Sequence, residues 1–269
     1  MTGPAGLTRT PARGCTGPVG VGRARRAGAG VVGAAAAIVL AGGSGTRVGG
    51  PRNKVYLPLA GRSVISWSLD TFGSMPEVGA VVLVVRAADR AAAGRVLDRE
   101  VDQVSVELVT GGATRQESEL AGLRHLAGRI GSGAVDTVLI HDGARPLMTR
   151  PLAARVLHAA RRGGAVPGMR RGDVAVAAPD GHGLVAMAPE GCVAVQTPQG
   201  FPAAPLLEAY EHAARAGFAG TDTASCVERF APELDTRWIT GDPGNIKITY
   251  ARDLVVAERA LARPGHRAG

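Results

Sequence analysis

The sequence predicts an α/β protein built on a doubly wound, mostly parallel sheet, with a protruding β-hairpin arm in its second half. Three observations predict it. Short β-branched runs alternate with amphipathic segments of helical period, the pattern of βαβ units. Two of these runs, AAAIVL and VGAVVLVV, are apolar throughout, as strands covered on both faces are. A glycine-rich, cationic segment, LAGGSGTRVGGPRNK (Leu40–Lys54), follows the first run directly. Open parallel sheets bind their ligands at that end of a strand.

The elements follow in order. The first strand is AAAIVL, ending at Leu40. Ser63 is placed to cap a helix, VISWSLDTF, with Ile65, Leu69 and Phe72 on one face. VGAVVLVV (Val78–Val85) and VSVELV (Val104–Val109) are the next strands. TRQESELAGLRHLAG brings Leu120, Leu123 and Leu126 to helical spacing, and DTVLIH (Asp136–His141) is again a strand. Thr149, with Pro151 in the first turn, opens the helix LAARVLHAARR, whose arginines fall where the helix dipole favours cations.

The alternation breaks after Gly164. RGDVAVAAPDGHGLVAMAPEG alternates around the turn PDGHG and reads as a hairpin. It has few large residues, so it is expected to pack on another surface, such as a second subunit. Two helical runs, APLLEAYEHAARAG and TDTASCVERF, lead to a strand at RWIT, the loop GDPGNIK and a last helix around ARDLVVAERALA. This gives one domain over residues 31–263 with an arm near 173–188, preceded by a basic tail over residues 1–30 that is expected to be disordered.

Composition narrows the function classes. The formal charge is +8, but Arg9, Arg13, Arg23, Arg25 and Arg26 all lie in the tail, which has no acid. The folded part is only mildly basic, so nucleic acid is not an expected partner. No apolar run is long enough to span a membrane. Cys15, Cys192 and Cys226 are scattered and odd in number, which suggests neither a disulfide framework nor a zinc site and fits a cytoplasmic protein.

The glycine segment is neither a dinucleotide fingerprint, since Val48 fails the last glycine position, nor a P-loop, since no Gly-Lys-Ser/Thr follows. What remains is Gly-Gly-Ser-Gly-Thr-Arg, with Lys54 seven residues after Arg47, on what reads as an exposed loop. Backbone N–H groups with two fixed cations suit a triphosphate. GGATRQES (Gly111–Ser118) is a second glycine turn after a strand, with Ser118 able to donate to a base or ribose. HDGARP sets Asp142 at a strand's carboxyl end, a place for Mg²⁺ or for a helix cap, while His141 reads as structural. TDTAS offers a hydroxyl and a carboxylate at a helix start, and NIKIT puts Lys247 on a late strand between apolar residues.

These pieces, in this order, resemble the cytidylyltransferases of polyol phosphates, in particular those acting on 2-C-methyl-D-erythritol 4-phosphate and on ribitol 5-phosphate. The carrying motifs are LAGGSGTR…NKVYLPLAGRSVISWSL, GGATRQES, HDGARP, VQTPQGF, TDTAS and NIKIT…DL. The resemblance implies a nucleotidyltransferase-like Rossmann variant that joins CMP from CTP to a polyol phosphate and releases pyrophosphate. It matches Ala41, Gly42, Gly43 and Gly45 to the CTP loop, and Arg47 and Lys54 to the cations on its phosphates. Gly111, Gly112, Arg115 and Ser118 match the cytosine and ribose turn. Asp142 matches the magnesium ligand and Arg145 the arginine after it, while Thr221 and Lys247 match the groups that hold the second substrate's phosphate. The arm matches a homodimer contact. The resemblance leaves ribitol 5-phosphate as an alternative acceptor, and a non-catalytic CTP-binding paralogue as an alternative class.

The chain departs from the family pattern at three places. Asn53 stands where the family usually has proline before the loop lysine. Pro189 stands where it has an arginine for the acceptor, and Asp173-Val174 where the arm has Asp-Thr. Either Arg170 or Arg171, at the base of the arm, takes over the phosphate, or the acceptor differs from 2-C-methyl-D-erythritol 4-phosphate.

Overall fold

Small side chains place the first strand, β1 (Ala34–Ala41), at the middle of the sheet: Ala35, Ala36 and Ala37 are fully buried, and helices close in on both faces. The computed structural model describes residues 34–43, 53–102, 104–170, 175–177, 184–187 and 192–262. The tail over residues 1–30 lies outside these, as do Gly45, Arg47, Arg171, Val174 and Pro189. After β1 come the short β2 (Pro58–Leu59) and β3 (Arg62–Ser63), α1 (Val64–Gly73), β4 (Val78–Val85), α2 (Arg90–Glu100), β5 (Val106–Thr110), α3 (Arg115–Gly131), β6 (Val135–Asp142) and α4 (Arg150–Ala160). The second half holds β7 (Gly164–Arg170), β8 (Ala175–Ala177), β9 (Leu184–Met187), β10 (Val193–Val195), β11 (Gln199–Pro202), α5 (Ala203–Arg215), α6 (Thr223–Phe230), β12 (Thr236–Thr240) and α7 (Ala251–Leu261).

The main sheet runs β10-β7-β11-β6-β1-β4-β5, with β12 paired to β7. β6, β1, β4 and β5 are mutually parallel. The chain leaves β1 for β4 and β5 on one side and returns to β6 on the other, so strand order reverses between β1 and β6. Leu40 is opposite Asp142 in that register, and the crevice beyond their carboxyl ends is the usual ligand position in such a sheet.

Each face has its own core, read from the period of two along the strands. Ile38, Val82, Val84 and Ile140 meet Leu120, Leu123 and Leu126 of α3 and Leu206 and Tyr210 of α5. Val39, Leu83 and Val85 meet Ile65, Leu69 and Phe72 of α1 and Leu152 and Val156 of α4. Each such side chain contributes about 1.5–3 kcal/mol when fully buried.

Two expectations do not hold in the structure, the Ser63 cap and the strand at Lys247. Ser63 occupies the position before α1 but does not cap it with its side chain. Its hydroxyl donates to Glu100 at 2.9 Å and its N–H to the same carboxylate at 2.6 Å, joining the start of α1 to the end of α2. Either side of the expected hairpin, β7, β10 and β11 extend the main sheet, strands the sequence pattern does not announce. β7 reads GAVPGMR, with glycine and proline inside it, and only its neighbours β12, β11 and β10 hold it extended. The residues around Lys247 form no strand; they follow β12 as an extended loop. The hairpin itself is present as β8 and β9, antiparallel and in a separate sheet. Thr149 caps α4 as expected, accepting from the Leu152 N–H.

Candidate active site

Three carboxyl-terminal strand ends and one late loop converge on a cavity of about 260 Å³. From the sequence-predicted residues it takes Gly42, Gly43, Lys54, Gly112, Arg115, Ser118, Asp142 and Lys247 as lining.

Asp142 is the floor of the cavity. It ends β6 and its side chain is 8 % exposed. Gly143 turns the chain away immediately, its N–H bound to the Leu40 carbonyl at 2.9 Å. A Cβ there would collide with that carbonyl and with Ile65. The carboxylate faces three cations. The Arg115 guanidinium is in direct contact with Oδ1, Lys247 Nζ lies 2.8 Å from Oδ2 and Arg145 Nε lies 3.5 Å from Oδ2. Burial alone would push its pKa up; Arg115, Lys247 and Arg145 outweigh that and hold it well below the usual carboxylate range. Asp142 is therefore ionised at neutral pH.

Each cation is fixed by a different device. Arg115 opens α3 at a capping box, in which Thr114 accepts from the Glu117 N–H and the Glu117 side chain accepts from the Thr114 N–H. Its Nε lies 3.0 Å from Glu119 Oε1. Glu119 is buried and also accepts from the Tyr210 and Thr223 hydroxyls at 2.5 and 3.0 Å. Burial raises the Glu119 pKa against the pull of Arg115 and these hydroxyls. Arg145 points away from the cavity, donating to the Asn245 carbonyl at 2.9 Å, and so braces the loop that carries Lys247. Ile248 secures the same loop through its N–H on the Ala144 carbonyl at 2.8 Å and its fully buried side chain.

His141 is structural, as expected. Its Nε2 lies 3.2 Å from the Arg145 carbonyl, which can only accept, so Nε2 carries the proton and Nδ1 accepts from the Thr197 hydroxyl at 3.2 Å. Burial depresses its pKa to about 4 and keeps the ring neutral. Thr197 in turn accepts the Asp142 N–H at 2.9 Å.

Other expected residues stand differently. Lys54 is not on an exposed surface: it begins a 3₁₀ turn and is 8 % exposed, against the cavity. Ser118 lines the cavity, and its Oγ donates to the Thr114 carbonyl at 2.9 Å. Gly111 lies behind the lining, where a Cβ would strike Ser118 and Val84. Ala41 is buried below the cavity with its carbonyl bound to Asn53. Thr221 is exposed, outside the lining, with its N–H on Ser225 Oγ at 3.1 Å. Arg170 is outside the lining too, its guanidinium 5.3 Å from the centre of the Trp238 ring. Sequence reasoning missed Asn53, Glu119, Thr197 and Asn245 as parts of the site. Two of them, Thr197 in VQTPQGF and Asn245 in GDPGNIK, are polar residues in loops, which carry no periodic signal.

This arrangement, a glycine strand end and a turn around a carboxylate with cations on every side, suits a polyanion. The family model described as 2-C-methyl-D-erythritol 4-phosphate cytidylyltransferase (IspD) matches residues 35–263. The enzyme of that name from Thermobifida fusca (strain YX) is 38 % identical over 238 residues, 86 % of this chain and 94 % of its own. The one from Geobacillus kaustophilus (strain HTA426) is 39 % identical over 84 % of this chain and 96 % of its own. Among solved structures, 4-diphosphocytidyl-2C-methyl-D-erythritol synthase from Anaerococcus prevotii DSM 20548 superposes with a TM-score of 0.73 at 26 % identity, covering 86 % of this chain and 97 % of that one. The chain belongs to the 2-C-methyl-D-erythritol 4-phosphate cytidylyltransferase family and is a nucleotidyltransferase.

Proposed function

We propose that the enzyme joins CMP from CTP to the phosphate of 2-C-methyl-D-erythritol 4-phosphate, with release of pyrophosphate, as a step in making isoprenoid precursors. The observation that carries this reading is the convergence of Lys54, Arg115, Lys247 and Asp142 on one cavity at the reversal point of the sheet. In the reaction an acceptor phosphate oxygen attacks the α-phosphorus of CTP in line, and the bond to the β-phosphate oxygen breaks. Two anions must meet, so the work of the chain is positioning and charge neutralisation.

In this reading Gly42 and Gly43 let the backbone approach the triphosphate, and Gly112 and Ser118 border the base and ribose. Lys54 and Lys247 lie around the phosphorus that gains charge, where fixed cations lower the barrier most; Arg47, outside the described residues, is assigned the same task by the resemblance alone. Thr221 belongs to the acceptor side. Asp142 suits Mg²⁺, which commonly takes one or two protein carboxylates and fills its shell with phosphate oxygens and water. The ionised state of Asp142 fits this, and the ion would share the carboxylate with Arg115 and Lys247, which now contact its two oxygens. Bound there, the ion would neutralise charge on the CTP phosphates.

Residues 31–263 are read as the catalytic domain and 1–30 as a tail outside it. β8 and β9 lie apart from the main sheet, which supports reading the arm as the contact of a homodimer. Use of CTP and two free cysteines, Cys192 and Cys226, suit a cytoplasmic enzyme. One experiment tests the core of this: incubation with CTP and Mg²⁺ plus either 2-C-methyl-D-erythritol 4-phosphate or ribitol 5-phosphate, with pyrophosphate measured. Fast release with the first acceptor only is expected. Preference for ribitol 5-phosphate, or no release with either, would refute the reading. Light scattering of the intact chain and of one lacking residues 173–188 tests the dimer.

A further inference from the structure

The glycine segment leaves β1 at Gly42 and is back in the core at Asn53, and one side chain joins its two ends. Asn53 is 1 % exposed. Its Nδ2 donates to the Ala41 carbonyl at 2.6 Å and to Asp89 Oδ2 at 3.0 Å. Its Oδ1 accepts the Val55 N–H at 3.3 Å, capping the turn that Lys54 begins. Both donors and the acceptor of the amide are thus engaged. Asp89 is itself gripped at both oxygens by Arg86, at 2.7 and 2.9 Å, a forked pair whose geometry permits little rotation. Arg86 directly follows β4.

We propose that Asn53 is a positioning residue: a latch that ties the end of β1 to the Lys54 turn and, through Asp89 and Arg86, to the end of β4. Asn53 does no chemistry. It holds Gly42 and Lys54 in fixed relation, so that the triphosphate meets both at once. The inference rests on the role of Lys54 in the reading above. It also accounts for the departure at this position. Asn53 has φ −62° and ψ 129°, a conformation proline takes as readily. Hydrogen bonds here do what a ring would do by restricting φ, and they add a tie to two strands that a ring cannot make.

Asn53→Pro therefore keeps the backbone and removes the ties, while Asn53→Ala removes both restraints. The test measures CTP binding by calorimetry without acceptor, then turnover with CTP and 2-C-methyl-D-erythritol 4-phosphate, for these variants, Asp89→Ala and Lys54→Ala. Asn53→Ala is expected to weaken CTP binding and lower kcat by about ten- to a hundredfold, the scale of a misplaced catalytic contact, and Asn53→Pro, which keeps the restraint on φ, by a smaller but measurable factor. The KM for the acceptor should stay within about twofold, a split that general loosening of the fold would not give. Asp89→Ala, which leaves the Ala41 tie, should lose less. It carries the test if the Asn53 variants do not fold, and normal kcat and CTP affinity in it would then overturn the proposal. Folded Asn53 variants with wild-type CTP affinity and kcat overturn the latch. If Lys54→Ala is impaired in the same series, the Lys54 reading survives alone; if Lys54→Ala turns over normally, both fall.

Discussion

Asp142→Asn and Lys247→Ala cut the same ion pair from opposite ends, and their costs should differ sharply. The Asp142 side chain is 8 % exposed and that of Lys247 is 41 %. Asparagine keeps the size of aspartate, so the change is one of charge. It leaves Arg115 and Arg145, both largely withdrawn from water, facing a neutral amide. Removing one partner of a buried pair costs about 3–5 kcal/mol. Arg115 keeps Glu119 and Arg145 keeps the Asn245 carbonyl, which puts the cost at the low end, about 3 kcal/mol. For a domain of this size that lowers Tm by about 6–12 °C. Lys247→Ala removes a half-exposed partner, and such pairs contribute only about 0–1 kcal/mol, so Tm should move by no more than about 4 °C. Both variants should nonetheless lose about a hundred- to a thousandfold in kcat, the scale for one preorganised charge contact. Thermal unfolding by circular dichroism and pyrophosphate release measure the two effects separately. Equal losses of Tm in the two variants would refute the burial argument, and a fully active Asp142→Asn would refute the assignment of the carboxylate to the metal.

Lys54→Ala should lower kcat by about a hundred- to a thousandfold, read from pyrophosphate release, with circular dichroism confirming a folded protein. Thr197→Val leaves the Asp142 N–H and His141 Nδ1 buried without their partner; a loss of about 1–3 kcal/mol is expected in denaturant unfolding. Cys226 is fully buried, and burial and the nearby Glu119 push its thiol up to about 12; thiol labelling of the native protein at neutral pH, mapped by mass spectrometry, should spare it until the chain is unfolded.

The sheet's parallel half was legible because each of its strands carries its own signal. Val78–Val85 is apolar throughout and appears at the same bounds in the structure, and α3 follows from the spacing of Leu120, Leu123 and Leu126. The antiparallel half was not. β7 has Pro167 and Gly168 within it, and β10 and β11 are only three and four residues long. Segments so short, or so poor in strand formers, become strands through their neighbours, and a linear pattern holds no trace of those neighbours.

The site divides in the same way. The sequence alone determined which residues bring charge, because glycine turns, strand-end carboxylates and loop cations are chemical statements that need no partner. Asp142, Arg47 and Lys54 were candidates on those grounds, whereas Arg115 and Lys247 became candidates only through the family resemblance. Only the tertiary structure decided how the charges are held. Glu119 reads as one polar residue on an amphipathic helix, yet packing turns it inward onto Arg115, Tyr210 and Thr223. Arg145 reads as a site cation, yet it lies behind Asp142 and braces the Lys247 loop. Asn53 reads as a departure from a family pattern, yet it closes the base of the glycine segment. Hydrogen bonds and ion pairs join residues far apart in the chain and depend on burial for their strength, and burial exists only once the chain has folded.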